Sequence, residues 1–488
     1  MVIIVASRAE RGSIVTMSGN VPSILEHSPI TPTEQPPLTF EKHDLLGSKP
    51  FCERLERYLL VEHEYVEGSL VIALDGGFGS GKSTFIDMWR SDLIARRQQG
   101  QFCPMPIDLN AWESDYCGDP LVAILSGLLQ AVAKWEGKDA PENPSSLKKA
   151  AKDVAWFATG LANSFAAKAT GFDFVKATEL AAKKKASRKP VVPDFIALYE
   201  KRKEALDILR SRLTESFGGA APKVLVFVDE LDRCRPDYAV TYLETIKHVF
   251  NVNGMIFVLA IDQPHLATSA KTLYGADLDF PEYFRKFCHR TIPLPQPGVS
   301  EYNKMSFEYA KRYVAVEGRR LTRLPGEMQP ERRLGELAAA FRLRPRQLQE
   351  VFRICGHVLA TERSGRGEEI AWSTGALTML LGFIKLADSK LFSGIANATL
   401  GPDVLVQALI SKFGSKHAEW WVQVYLGHLL AARENRGVVE ELMSIHFGYD
   451  SNAFHIFTRS QFVTPWQIDQ PVQKLCQLLE SVDSFSEL

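Results

Sequence analysis

The sequence lacks three kinds of feature that would directly indicate a class of protein. Its seven cysteines form no C-x-x-C pair, it has no unbroken apolar run long enough to span a membrane, and neither charge is in excess. Isolated cysteines argue against a zinc site and favour the reducing cytosol. A formal net charge of -1 provides no global field that would attract nucleic acid or an anionic membrane. Any electrostatic partner must therefore be bound by a local patch.

We also expect no signal peptide in the first residues of the sequence. The first residues are apolar only up to Ala6, and Arg8 interrupts them before a hydrophobic region of sufficient length is reached. The 488 residues are 45% hydrophobic and 24% charged, which is typical of a soluble globular protein with two or three domains. Either Met1 or Met17 is compatible with this pattern as the start.

Short apolar runs alternate with helical segments through the first 300 residues. Because strands that alternate with helices form βαβ crossovers, this pattern predicts an α/β fold with a mostly parallel sheet. Beyond about Pro297 the alternation ceases and only helices are predicted. The four predicted strands are Ser69–Leu74, Met105–Leu109, Lys223–Val228 and Met255–Ile261.

The loop after the first predicted strand, Gly76–Ser83, has the pattern G-x-x-x-x-G-K-[ST] between a strand and a helix. Its glycines let successive backbone N–H groups converge on phosphates, and the following helix adds the positive end of its dipole. Lys82 is expected to reach the β- and γ-phosphates, and the Ser83 hydroxyl to ligate Mg²⁺. A chance match is the alternative, which the flanking elements disfavour. The expected nucleotide contacts are Gly77, Gly79, Ser80, Gly81, Lys82, Ser83 and Thr84.

Acidic residues follow two further predicted strands. Asp229 is expected to orient Mg²⁺ and Glu230 to polarise the attacking water, both as catalytic residues together with Lys82. The alternative for this pair is a solvated acidic turn. Asp232 and Arg233 can simply close a salt bridge. Asp262 ends the strand Met255–Ile261, where it would either contact the γ-phosphate or cap the helix that begins near His265.

Several further segments, in a fixed order over about residues 40–360, resemble the KAP family of P-loop NTPases. This family belongs to the additional-strand branch, near AAA+ and STAND proteins, and commonly carries an insertion between its two Walker motifs. The resemblance implies a P-loop NTPase fold with that insertion and an all-α C-terminal region. The matching segments are His43–Leu46, Phe51–Tyr58, Gly77–Thr84, Asn110–Trp112, Val228–Cys234, Phe257–Asp262, Tyr283–Phe287, Ile292–Pro295 and Arg344–Gln349.

The resemblance draws attention to five more residues. Asn110 is expected near the phosphate pocket, while packing in the core is the favoured interpretation for Trp112. Arg285 or Lys286 could approach a phosphate in cis or from a neighbouring subunit, although solvated cations are the simpler explanation. Arg346 lies at the position of a sensor-2 arginine. Its alternative is a basic helical face shared with Arg342, Arg344 and Arg353.

The insertion departs from the pattern of its family, many members of which carry transmembrane helices there. Here it is rich in Lys and Ala, and its longest apolar run, from Val154, stops at Lys168 after Asn163. We therefore predict no transmembrane helix. Trp156, Phe157 and Phe165 beside a basic tract leave a role at the membrane surface open, and the tract at Lys183–Lys189 leaves binding to DNA open.

These observations predict an ATP- and Mg²⁺-dependent NTPase that acts as a nucleotide-driven switch or motor, cytoplasmic or peripheral at the membrane. The resemblance adds anti-phage defence in bacteria, as a homo-oligomer or within a multi-protein complex. A slow-turnover scaffold and an ATPase acting on DNA are the alternatives. The predicted units are a flexible leader (1–38), the first part of the core (39–136), the helical insertion (137–205), the second part of the core (206–296), a helical lid (297–370) and a C-terminal helical region (371–488).

Overall fold

The computed structural model describes most of the chain between residue 36 and residue 484. Residues 1–35 of the predicted leader and the centre of the Lys/Ala-rich insertion lie outside the described residues. The part of the insertion that is not described includes Trp156, Phe157, Phe165 and the tract Lys183–Lys189. Residues 38–488 form one compact unit. The described residues are 36–116, 118–133, 145, 147–152, 191–219, 221–314, 330–364, 372–430, 435–460 and 471–484.

A five-stranded parallel sheet forms the centre of the α/β part, in the order β2-β3-β4-β1-β5. β4 lies between β1, which leads into the glycine loop, and β3, which ends in Asp229. This inserted strand is the feature that the resemblance to the additional-strand branch implies. The strands are β1 Leu70–Asp75, β2 Met105–Asn110, β3 Val224–Asp229, β4 Met255–Ile261 and β5 Arg290–Pro293.

Four strands were expected and the fifth, β5, was not. β5 has only four residues, lies at the edge of the sheet and is mostly exposed. An exposed edge strand needs no apolar run, so it leaves no hydrophobic signal in the sequence. β1 and β4, by contrast, are buried along almost their whole length and read as continuous apolar runs.

Helices cover both faces of the sheet and form the part of the described chain that follows it. Those of the α/β part are α1 Phe40–His43, α2 Lys49–His63, α3 Lys82–Gln98, α4 Ala111–Asp115, α5 Pro120–Ala133, α6 Val191–Phe217, α7 Pro236–Val249, α8 Gln263–Tyr274 and α9 Phe280–Phe284. Those of the helical part are α10 Val299–Tyr309, α11 Pro330–Phe341, α12 Pro345–Ser364, α13 Trp372–Ala387, α14 Ser389–Ala396, α15 Pro402–Phe413, α16 Ser415–Leu429, α17 Arg436–Phe447, α18 Ser451–Thr458 and α19 Pro471–Ser484.

Two hydrophobic clusters occupy the two faces of the sheet, because alternate residues of a strand point to opposite sides. Val71 and Ala73 of β1 belong to one cluster, and Leu70, Ile72 and Leu74 belong to the other. A third cluster unites α10 to α19 in one helical core. This helical core includes residues on both sides of the predicted boundary at 370/371. Helix α6 runs without a break across the predicted boundary at 205/206.

Membrane spans were searched for among the described helices. None of these helices combines the length and the apolar character that crossing a bilayer requires.

The buried His63 and the half-buried His289 are expected to make the stability of the α/β part sensitive to acid. The backbone N–H of Gly254 donates to Nε2 of His63 at 3.0 Å, and that of Val71 donates to Nδ1 of His289 at 3.0 Å. Burial lowers the pKa of both imidazoles below the usual value, because it disfavours the charged form. The unfolded chain therefore takes up protons first as the pH falls below about 6.5.

We expect the free energy of unfolding to decrease as the pH falls below about 6.5. The decrease should end once the pH is below the pKa that the two histidines have in the folded state. Denaturant titrations between pH 7.5 and pH 5 measure this decrease. His63→Gln is the matched variant, since an amide oxygen can accept from Gly254 but does not titrate. A variant whose pH dependence equals that of the wild type would show that His63 does not contribute.

Candidate functional site

The glycine loop between β1 and α3 has the backbone geometry of an anion cradle. Gly79 and Gly81 have φ of +74° and +100°, a region that favours glycine. Ser80 Oγ is buried without a hydrogen-bond partner in the described structure. Lys82 is only 8% exposed, and its Nζ donates to the carbonyl of Gly76 at 2.5 Å. A buried hydroxyl without a partner and a buried cation together fit a bound anion.

A cavity of about 270 Å³ lies against this loop. One side comes from the α/β part and the other from the helical part, so the cavity is completed only by the tertiary structure. It brings together most of the predicted nucleotide contacts, both predicted catalytic acids and Arg346, whereas Gly77 and Asp262 do not line it. The lining residues are Phe78, Gly79, Ser80, Gly81, Lys82, Ser83, Thr84, Asp229, Glu230, Asp232, Arg233, Tyr309, Pro345, Arg346 and Gln349.

Glu230 adopts a left-handed conformation at the end of β3, with φ of +61°. Such a backbone costs a non-glycine residue about 1–3 kcal/mol and persists only where the surroundings determine it. Its N–H donates to Asp229 Oδ1 at 2.8 Å. Its Oε1 pairs with Arg233 at 2.9 Å, and its Oε2 accepts from Asn110 Nδ2 at 3.3 Å. Both carboxylate oxygens are therefore engaged.

Asn110 ends β2 directly opposite Asp229 in the parallel register. Its Oδ1 accepts from the N–H of Glu113 at 3.1 Å and so caps α4, while its Nδ2 reaches Glu230. The expectation that Trp112 packs in the core was wrong, because Trp112 is 52% exposed. The cap at Asn110 places Trp112 in the first turn of α4, where the guanidinium of Arg233 lies 5.8 Å from its ring centroid.

Asp262 is the cap of α8 and also a support of the glycine loop. Its Oδ1 accepts from the N–H of His265 at 3.4 Å, and its Oδ2 accepts from the N–H of Phe78 at 3.1 Å. Its own N–H donates to Oδ2 of the buried Asp232 at 2.7 Å. Burial raises the pKa of Asp232, and the bond from Asp262 and the charge of Lys82 oppose this. Contact of Asp262 with a γ-phosphate stays a prediction.

The arginines of the helical part do not share one basic face. Arg346 lines the cavity, and its backbone N–H donates to the carbonyl of Gly79 at 3.2 Å. Arg344 Nη1 donates to the carbonyl of Phe78 at 3.3 Å. Arg353 instead pairs with Glu350 on its own helix. Contact of Arg346 with a nucleotide stays a prediction, and the contact of Arg344 was not anticipated.

Arg285 and Lys286 are exposed at the end of α9 and do not line the cavity. Lys286 Nζ lies 5.8 Å from the ring centroid of Tyr283, on its own segment. This arrangement therefore provides no support for a contact between either residue and a phosphate bound in the same subunit. A role toward a neighbouring subunit stays a prediction.

Tyr309 and Gln349 line the cavity without having been predicted. Tyr309 ends α10, and Gln349 lies one turn after Arg346 on α12. Gln349 Nε2 donates to Tyr313 Oη at 2.6 Å. Its spacing from Arg346 is a signal that sequence analysis could have used, because residues three apart share a helix face. No sequence pattern distinguishes Tyr309.

The chain was compared with a collection of family profiles, with curated proteins and with solved structures. A family profile described as the KAP family P-loop domain matches residues 49–330, more than half of the chain. No curated protein matches. Two solved structures of the Aeropyrum pernix ORC2 protein are similar, one described as ADPNP-ADP complexes and one as an ADP form. The first has 11% identity, a TM-score of 0.31 and coverage of 90% of this chain and 95% of that one. The second has 12% identity, a TM-score of 0.32 and coverage of 93% of this chain and 97% of that one.

Proposed function

The chain belongs to the KAP family of P-loop NTPases, and we propose that it binds ATP with Mg²⁺ and hydrolyses it to ADP and phosphate. The observation that carries this proposal is that residues of the glycine loop, Asp229, Glu230 and Arg346 line the same cavity. Water is the favoured acceptor because Glu230, a carboxylate that can act as a general base, borders the same cavity as the loop.

The glycine loop is proposed to hold the triphosphate through its backbone N–H groups. Lys82 would leave the carbonyl of Gly76 and pair with phosphate oxygens, which replaces a neutral partner with a charged one. Ser83 and Asp229 both line the cavity and supply the hydroxyl and carboxylate oxygens that Mg²⁺ prefers. Bound there, Mg²⁺ would neutralise charge on the β- and γ-phosphates. Arg346 would contact the nucleotide from the helical side.

Glu230 is proposed to accept a proton from the attacking water. In the structure its two oxygens accept from Arg233 and Asn110, and each oxygen keeps a further lone pair that could face a water. The same contacts favour a second candidate function, an ATP-binding scaffold with slow turnover. In that case the two contacts would hold the carboxylate away from the position of the attacking water.

We further propose that turnover drives a switch or motor movement of the helical part, which provides one wall of the cavity. A ligand shifts such an equilibrium only through different affinities for the two states, and the γ-phosphate is the group that hydrolysis removes. We propose from the family resemblance alone that the chain forms a homo-oligomer or belongs to a multi-protein anti-phage complex. Action on DNA rests on the Lys183–Lys189 tract, which lies outside the described residues.

Removal of divalent metal is expected to abolish turnover, because the charge on the β- and γ-phosphates would no longer be neutralised. Phosphate release from ATP is measured with Mg²⁺, with excess EDTA, and after Mg²⁺ is added back in excess of the chelator. Nucleotide binding is followed in parallel with a fluorescent ATP analogue. Turnover that persists in EDTA would contradict the proposal, and absence of any nucleotide binding would refute it altogether.

A further inference from the structure

The helical part contacts the backbone of the glycine loop itself, at two consecutive carbonyl groups. Arg344 Nη1 donates to the carbonyl of Phe78 at 3.3 Å, and the backbone N–H of Arg346 donates to the carbonyl of Gly79 at 3.2 Å. The segment that begins α12 is therefore attached to the loop by both a side chain and a main-chain bond.

The approach is as close as glycine permits. A Cβ atom added to Gly77 would collide with the guanidinium of Arg344, and one added to Gly79 would collide with the side chain of Arg346. Gly77 does not line the cavity, so its lack of a side chain accommodates Arg344 rather than a bound nucleotide. The glycines of the loop thus allow the close contact with the helical part in addition to the proposed contact with phosphate.

Each of these carbonyls belongs to the same planar peptide unit as the next N–H group. The carbonyl of Phe78 shares its plane with the N–H of Gly79, and the carbonyl of Gly79 shares its plane with the N–H of Ser80. A hydrogen bond to either carbonyl therefore restrains the direction in which the following N–H points. It also polarises that N–H, because hydrogen bonds in a chain strengthen one another.

We propose that Arg344 is a positioning residue that orients and polarises the phosphate-binding N–H group of Gly79 from outside the cavity. The inference rests on the proposed function, since it concerns the same nucleotide. It links nucleotide binding to the docking of α12 on the loop, and linkage of binding free energies is reciprocal. A protein partner that pulls α12 from the loop would weaken nucleotide binding, and bound nucleotide would hold α12 in place.

The side chain of Arg344 can be removed without loss of the local helix start. The backbone N–H of Arg344 donates to Oε1 of Gln347 at 3.0 Å, a bond that any residue except proline can make. Arg344→Ala therefore removes the guanidinium alone. Arg342, exposed at the end of α11, is the matched control two residues earlier.

We expect Arg344→Ala to weaken binding of both ADP and a non-hydrolysable ATP analogue by about tenfold, since a charge-assisted hydrogen bond is lost. The melting temperature without nucleotide should change little, and its rise on addition of nucleotide should shrink. Arg342→Ala should behave as the wild type. Arg344→Lys, which keeps one charged donor, should restore part of the affinity.

Hydrogen exchange of the amides at the start of α12 gives a second measurement. Nucleotide should protect these amides in the full-length wild type and protect them less in Arg344→Ala. Equal affinities of Arg344→Ala and the wild type, or an equal loss in Arg342→Ala, would overturn the inference. If the wild type itself binds no nucleotide, the proposed function fails instead, so the two failures are distinguishable. Should Arg344→Ala not fold, Arg344→Met, which keeps an unbranched side chain but has no hydrogen-bond donor, provides the same comparison.

Discussion

Replacement of Glu230 by glutamine is expected to lower steady-state ATP hydrolysis by about 10²-fold or more, while nucleotide binding is retained. An amide of the same shape cannot accept a proton from water. It also cannot keep both present contacts, because Arg233 and Asn110 each offer a donor whereas the amide has one oxygen. The variant should therefore bind ATP and keep it bound.

Phosphate release and retention of radiolabelled ATP after gel filtration measure the two parts of this expectation. Asp237→Asn, an exposed acid in the first turn of α7, is the matched control for a change of carboxylate to amide. A Glu230→Gln protein that turns over at the rate of the wild type would eliminate Glu230 as the base. If the wild type is already slow and the variant differs little, the scaffold function is favoured over the switch.

Replacement of Lys82 by alanine is expected to weaken binding of ATP by about 10- to 100-fold, with hydrolysis lost at ordinary concentrations. Lys82 is the buried cation of the glycine loop, and no other side chain of the loop carries a charge. Without it the charge of the triphosphate would be opposed by Mg²⁺, by backbone dipoles and by Arg346 from the other side.

Titration with a fluorescent ATP analogue gives the affinity, and thermal unfolding without nucleotide shows whether the fold is retained. Lys271→Ala on the exposed side of α8 removes the same charge away from the cavity and should change neither value. Unchanged affinity of Lys82→Ala would mean that the nucleotide does not occupy this loop. A loss of equal size in Lys271→Ala would point to a general effect of net charge.

Much of the α/β part could be predicted because its strands are buried on both faces. The runs at β1, β3 and β4 are continuously apolar, so that hydrophobicity alone locates them within one or two residues. The acids Asp229 and Asp262 then fall at the ends of parallel strands, where one edge of the sheet gathers them. β5 could not be found in this way, since an exposed edge strand carries no such pattern.

The errors at the site concern side chains whose surroundings come from distant segments. Packing in the core was the favoured interpretation for Trp112. The cap by Asn110 turns α4 so that Trp112 contacts Arg233 at the surface. Arg344 was grouped with neighbouring arginines because they are close in sequence, while its partner Phe78 lies 266 residues away.

The sequence by itself was sufficient to locate the glycine loop, the acids after the strands and the motifs of the family. The loop depends on local backbone geometry, and the acids are found because each follows a single buried strand. Only the tertiary structure decided what faces them. It closed the cavity with Tyr309, Arg346 and Gln349, engaged both oxygens of Glu230, and placed Arg344 against the loop. Such contacts join segments far apart along the chain, and their geometry follows from the packing of the helical core against the sheet rather than from any local pattern.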